Sequence, residues 1–102
     1  MKERRMAPVH PGEILREQFL KPLAMSQNKL ALELSVPPRR INEIVKGRRR
    51  VTADTAMRLA RFFKMTPEYW MGLQADYDLD VVRDELEERV KREVRPCAAR
   101  VT

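Results

Sequence analysis

Six lysines or arginines and a single acid, Glu43, lie between Arg39 and Arg50. These side chains have a definite chemistry towards nucleic acid. Arginine bonds guanine O6 and N7 with two parallel N–H donors, asparagine does the same to adenine, and glutamate accepts from cytosine N4. A basic run by itself is as readily a solvated surface, so its placement decides. Pro37-Pro38 suit the first turn of a helix, where backbone N–H groups have no partner to lose. Gly47 suits its end. Over that helix, Pro37 to Lys46, the spacing turns Ile41, Ile44 and Val45 inward and leaves Pro38, Arg39, Arg40, Asn42, Glu43 and Lys46 outward. The first residues of a helix laid in a major groove reach base edges before the rest. Arg39 and Arg40 are therefore the expected base readers, with Pro38 a contact for a thymine methyl. Glu43 either reads a base or holds a neighbouring arginine. Lys46, Arg48, Arg49 and Arg50, together with Gln27, are expected to grip phosphate oxygens.

Other residues capable of chemistry lead nowhere comparable. His10 is the only histidine, and with Pro11 and Glu13 behind it a helix start is the better reading. Cys97 is the only cysteine, so no disulfide forms within the chain, and no base is assigned to it. Asp76, Asp78, Asp80, Asp84 and Glu87 have the spacing of calcium-loop ligands. That loop needs glycine at its sixth position, where Val81 stands, and the segment reads as helix. Tyr69, Trp70 and Tyr77, with Phe62 and Phe63, read as core rather than as a ligand pocket. No glycine-rich phosphate loop is present. No catalytic residue, metal ligand or cofactor is expected, and the chain is not expected to be an enzyme.

The elements that must carry the basic residues are all helices. A first helix starts at Pro11, carries Ile14, Leu15 and Phe19, and is expected to stop ahead of Pro22. Ser26 caps a second, Gln27 to Leu34, with Leu30, Ala31 and Leu34 at helical spacing. Thr52 opens a fourth, whose inner face is Ala56, Leu59, Ala60 and Phe63. Thr66-Pro67-Glu68 opens a fifth that runs to about Arg92, with a break expected near Gly72. The second and third helices, joined through Leu34-Ser35-Val36, have the form of a helix-turn-helix. Its packing needs apolar residues at fixed places and a small one at the crossing. Counting from Gln27, Leu30, Leu34, Val36, Ile41 and Ile44 fall on the apolar places and Ala31 on the small one. The glycine usual at the ninth place is Ser35, which predicts some strain in the turn.

Composition agrees with that reading. The chain has 102 residues, 43% of them hydrophobic, with three glycines, and carries a net charge of +6. The charge is uneven. Residues 1–64 hold 15 Lys and Arg against 6 Asp and Glu, while residues 65–102 hold 6 against 9. A basic front for a polyanion and a back with another task follow. No apolar run is long enough for a membrane span, Met1 to Arg5 lacks the apolar stretch of a signal peptide, and cytoplasm is the expected compartment. The organisation expected is a basic arm over residues 1–10, a helix-turn-helix domain over 11–74, a helical extension over 75–95 and a disordered tail over 96–102.

His10-Pro11-Gly12-Glu13 and the residues after it as far as Ser26 resemble the opening of HigA-type antitoxins, the VapI branch of the Xre-like helix-turn-helix proteins. The stretches from Gly47 to Ala60 and from Thr66 to Gln74 are similar to the same family, in one register over residues 7–82. The resemblance implies an all-α, five-helix domain of the phage-repressor type with an extended C-terminal helix. It also implies a HigB-type partner toxin, a ribosome-dependent mRNA endonuclease, and repression of the chain's own operon. Some relatives lack an obvious toxin, so a stand-alone transcriptional regulator is the alternative. An adaptor that no longer touches DNA is a third reading.

Beyond Leu73 the sequence continues as an acidic helix with a narrow apolar stripe of Leu79, Val82, Leu86, Val90 and Val94. Glu85–Arg89, Glu87–Lys91 and Glu88–Arg92 are spaced for ion pairs. A narrow stripe fits a helix partner. The order expected is a homodimer seam first, a fold-back on its own domain second and a toxin surface third. One recognition helix reads few bases, so a two-fold pair on a palindromic operator is expected on separate grounds.

Overall fold

The computed structural model describes residues 7–99, which form five helices and no strand. The first, α1, covers residues 11–23 in three contiguous stretches: Pro11–Ile14, a wide-turn (π) stretch Leu15–Leu20, and Lys21–Leu23. Helix α2 is Gln27–Leu34, α3 is Pro38–Val45, α4 is Ala53–Phe63 and α5 is Pro67–Glu93. Most of the arm expected over residues 1–10, and the end of the tail expected over 96–102, lie outside the described residues.

Helix α1 does not stop ahead of Pro22. Its turn widens first, so that the Lys21 N–H reaches the Arg16 carbonyl five residues back. A widened turn gives the pyrrolidine ring room beside a carbonyl that would otherwise obstruct it, and its missing N–H costs little there. The helix ends instead at Ala24, whose φ of 52° is left-handed, with the Met25 N–H bonded to the Leu20 carbonyl. His10 starts α1 as expected: its Nδ1 accepts the Gly12 N–H at 2.9 Å. Ser26 Oγ accepts the Lys29 N–H at 3.0 Å and starts α2. Thr52 and Thr66 stand at the starts of α4 and α5 without a side-chain cap bond. Asp54 and Glu68 in the first turns complement the positive helix ends there.

The core is one cluster drawn from every helix, with Leu15, Leu30, Ala31, Ile41, Ile44, Leu59 and Trp70 all fully buried. Phe19, Phe62 and Phe63 pack on it beside Trp70, with ring centroids 4.8–5.1 Å apart, while Tyr69, expected in the core, stands at the surface against Phe19 and Trp70. Tyr77 is not part of that group; it meets the His10 ring edge-on at 4.8 Å. Gly12 shows why the start of α1 has no side chain. A Cβ there would lie 1.8 Å from the Ile44 carbonyl oxygen, so α1 crosses the end of α3 at backbone contact.

Helix α5 runs unbroken through Gly72. Its first turns bury Trp70 and Gln74. Farther out Leu79, Val82, Leu86, Val90 and Val94 are 40–60% exposed, so the stripe does not fold back on its own domain. The ion pairs along it include Arg83–Asp80 at 3.7 Å, Arg89–Glu93 at 3.0 Å and Lys91–Glu88 at 3.6 Å, so that Arg89 and Glu88 pair otherwise than in the expected Glu85–Arg89 and Glu88–Arg92. No helix among the described residues is long and apolar enough to cross a membrane.

Candidate nucleic-acid interface

The α2–α3 pair has helix-turn-helix geometry. Leu30, Ala31 and Leu34 of α2 and Ile41 and Ile44 of α3 are buried against one another, with Val36 beneath the turn. Ser35 takes the left-handed conformation, φ 58° and ψ 46°. The turn thus keeps the shape a glycine would give it, at a backbone cost of about 1 kcal/mol. Pro37 is extended and Pro38 is the first helical residue of α3.

Along the outer face of α3 the expected residues divide. Pro38 and Arg39 are both exposed, the Arg39 side chain 84% accessible. Arg39 Nε donates to Glu43 Oε2 at 2.8 Å, and Arg49 Nη1 donates to Glu43 Oε1 at 3.2 Å. Glu43 thus holds two arginines at one edge, and the bond from Arg39 draws its carboxyl below the ordinary range. Asn42 Nδ2 donates to Gln27 Oε1 at 2.6 Å, which joins the start of α2 to the middle of α3. That bond leaves the Asn42 carbonyl oxygen, the second Asn42 N–H and both Gln27 side-chain N–H groups for other partners.

Arg40 departs from expectation. It is turned towards α4, where its Nη1 donates to Asp54 Oδ2 at 2.5 Å and lies 3.4 Å from Thr55 Oγ1. Its side chain is 25% accessible. The helical spacing put Arg40 on the outer face, but its long stem carries the guanidinium to a carboxylate on another helix. Asp54 is held below the ordinary carboxylate range by Arg40 first and Arg58 second.

The basic loop after α3 is also organised from outside itself. Lys46, Arg48, Arg49 and Arg50 are exposed. Arg50 Nη2 lies 2.9 Å from Asp78 Oδ2. Asp78 Oδ1 accepts from Gln74 Nε2 at 3.0 Å, and Gln74 Oε1 accepts the Val51 N–H at 2.7 Å. Gln74 is 2% exposed, so this bond satisfies a backbone donor that has no other route to water. His10 borders the same loop. Burial lowers its pKa, opposed by the Asp78 charge and the Arg49 carbonyl.

Asp54, Arg58, Gln74 and Asp78 were not singled out as site residues in the sequence. For two of them a signal existed: Trp70, Gln74 and Asp78 fall four apart, an apolar stripe that turns polar as it reaches the basic loop. For Asp54 the spacing offered only Arg58, four residues on, since its other partner Arg40 is fourteen residues away. Among the described residues no group of three or more His, Cys, Asp or Glu is placed to hold a metal ion, and the acids from Asp76 to Glu87 spread around a continuous helix.

The helix-turn-helix family model HTH_3 matches residues 16–70. Virulence-associated protein I of Dichelobacter nodosus is 49% identical over 80 residues, 78% of this chain and 74% of the relative. The structure of an addiction module antidote protein of the HigA family from Coxiella burnetii is similar with a TM-score of 0.85. It is 44% identical and is covered over 90% of this chain and 100% of that one. The Pseudomonas aeruginosa antitoxin HigA, solved with the higBA promoter, has a TM-score of 0.83 at 38% identity, over 87% and 97% of the two chains.

Proposed function

The chain belongs to the helix-turn-helix family HTH_3, and on that premise we propose that it is a HigA-type antitoxin. It binds a palindromic operator as a homodimer, represses its own operon and neutralises a HigB-type toxin in the cytoplasm. One observation carries the DNA reading. Helix α3 presents Arg39, Pro38, Asn42 and Glu43 on one outer face, flanked by the exposed cations Lys46, Arg48, Arg49 and Arg50. Such a face fits a major groove, with Arg39 bonding guanine and the loop cations, with Gln27, bonding phosphates on either side. Two-fold pairing sets two copies of α3 about 34 Å apart, one helical turn of DNA. The exposed stripe from Leu79 to Val94 supplies the dimer seam in this reading.

The test is titration of the full chain into DNA from upstream of its own gene, at two salt concentrations, beside a scrambled duplex. A preference of about a thousandfold or more, with affinity falling steeply in salt, is the expected result. Equal binding to both duplexes, erased by salt, would reduce the basic face to an electrostatic patch. Co-expression with an adjacent small reading frame tests the toxin half. Growth arrest by that frame alone, relieved by this chain, is expected. An operator preference without such a frame leaves the stand-alone regulator.

A further inference from the structure

Asp54 stands in the first turn of α4 and holds two arginines at once. It accepts from Arg40 Nη1 at 2.5 Å and from Arg58 Nε at 3.2 and 3.3 Å. Arg58 Nη1 in turn donates to the Leu34 carbonyl at 2.9 Å. Leu34 is the last residue of α2, immediately before the left-handed Ser35. One carboxylate therefore ties the start of α3, the end of α2 and the start of α4 together, across the turn whose shape sets where α3 points.

This arrangement is odd if the surface is judged by charge alone. An acid beside a polyanion site opposes binding, and an arginine neutralised by that acid contributes little to phosphate attraction. The geometry has a different use. Helix α3 has eight residues, and its start is not anchored by a side-chain cap. Bidentate base contacts tolerate displacements well under 1 Å, so a reading helix needs support behind it. A guanidinium suits that work, because one nitrogen, Nη1, meets both the Asp54 carboxylate and the buried Thr55 hydroxyl from a rigid planar group, whereas a lysine ammonium sits on a flexible stem that fixes neither.

We propose that Arg40 and Asp54 are positioning residues for operator recognition. The strap from Arg40 through Asp54 and Arg58 to Leu34 sets the angle of α3, and so the places where Arg39 and Asn42 land, while Arg40 reads no base. The inference rests on the DNA-binding reading above.

The test measures operator and scrambled-duplex affinity for the full-length wild type, Asp54→Asn, Arg40→Lys and the double variant, with thermal melts of each. Removing an acid that acts only as charge tightens binding to both duplexes. Removing one that positions α3 lowers operator affinity while scrambled affinity holds or rises. We expect the operator-to-scrambled ratio to fall about fivefold or more in each single variant, with the double variant no worse than the worse single. The loss is spread over all operator positions. Arg40→Lys keeps the charge of residue 40 and leaves the start of α4 intact, so it decides the matter if Asp54→Asn does not melt cooperatively. Tighter binding of Asp54→Asn to both duplexes, or loss of preference at one base pair alone in Arg40→Lys, would overturn the proposal. A wild type with no operator preference would instead remove the DNA reading, and this inference with it.

Discussion

The two ends of this molecule use the same residue types in opposite ways. Around α2, α3 and α4 most apolar side chains are buried, Leu32 and Met57 excepted, and beside one-turn pairs such as Arg39–Glu43 some charged groups are strapped between elements, as in Arg40–Asp54 and Arg58–Leu34. On α5 beyond Asp78 the apolar side chains stand open and the charges pair with neighbours one turn away. Exposed pairs of that kind contribute little, about 0–1 kcal/mol. The first region is complete within one chain: its geometry is set before DNA arrives. The second is a surface whose burial requires another molecule.

That contrast is sharpest at Gly12. Gly12→Ala drives a Cβ into the Ile44 carbonyl, a backbone atom that cannot swing away. A loss of about 3 kcal/mol or more is expected in urea unfolding. Leu86→Ala on the open stripe is expected to change monomer stability by less than about 0.5 kcal/mol. Similar losses at the two positions would erase the distinction.

Gln74 marks the boundary between the regions. Gln74→Leu keeps the bulk but leaves the Val51 N–H buried without an acceptor and releases Asp78 from its amide partner. About 2 kcal/mol of stability is expected to go. Weaker DNA binding is expected beside it, as the basic loop loses the anchor at Val51 that fixes its end. A stable variant with unaltered binding would mean that α5 does not organise the loop.

A smaller effect is expected from pH. The His10 pKa is lowered by burial, so the unfolded chain takes up the proton first as pH falls. The contribution of neutral His10 is therefore full above about 6.5 and declines below it, towards the folded-state value. Protonation also removes the Nδ1 lone pair that accepts the Gly12 N–H. Melting temperature is expected to drop modestly between pH 8 and pH 5.5, and His10→Asn should flatten that slope. The depressed carboxylates of Glu43, Asp54 and Asp78 act in a separate window, near and below pH 4. A small gain is expected at the turn: Ser35→Gly relieves a left-handed backbone and should stabilise the fold by about 0.5 kcal/mol.

Helix positions and the buried faces of α2 and α3 were legible in the sequence because they follow from local periodicity and from caps such as His10 and Ser26. Pro22 misled because a proline stops a regular helix, whereas a widened turn lets it pass. Gly72 misled for a simpler reason: it is exposed, and the helix on either side carries it. The basic face was legible from composition, but its wiring was not. Asp54 faces Arg40, and Leu34 faces Arg58, across fourteen and twenty-four residues, distances at which spacing has no period to reveal. Gly12 stood in the sequence as part of a motif, and only the crossing of α1 over α3 explains it.

Position-by-position substitution of the operator, with affinities compared between wild type and Arg39→Ala, tests the central claim most directly. The account predicts that wild type prefers one base at a given position in each half-site by about ten- to hundredfold, and that Arg39→Ala loses that preference while keeping the others. Retention of every preference in Arg39→Ala, with affinity lowered evenly or not at all, would contradict it.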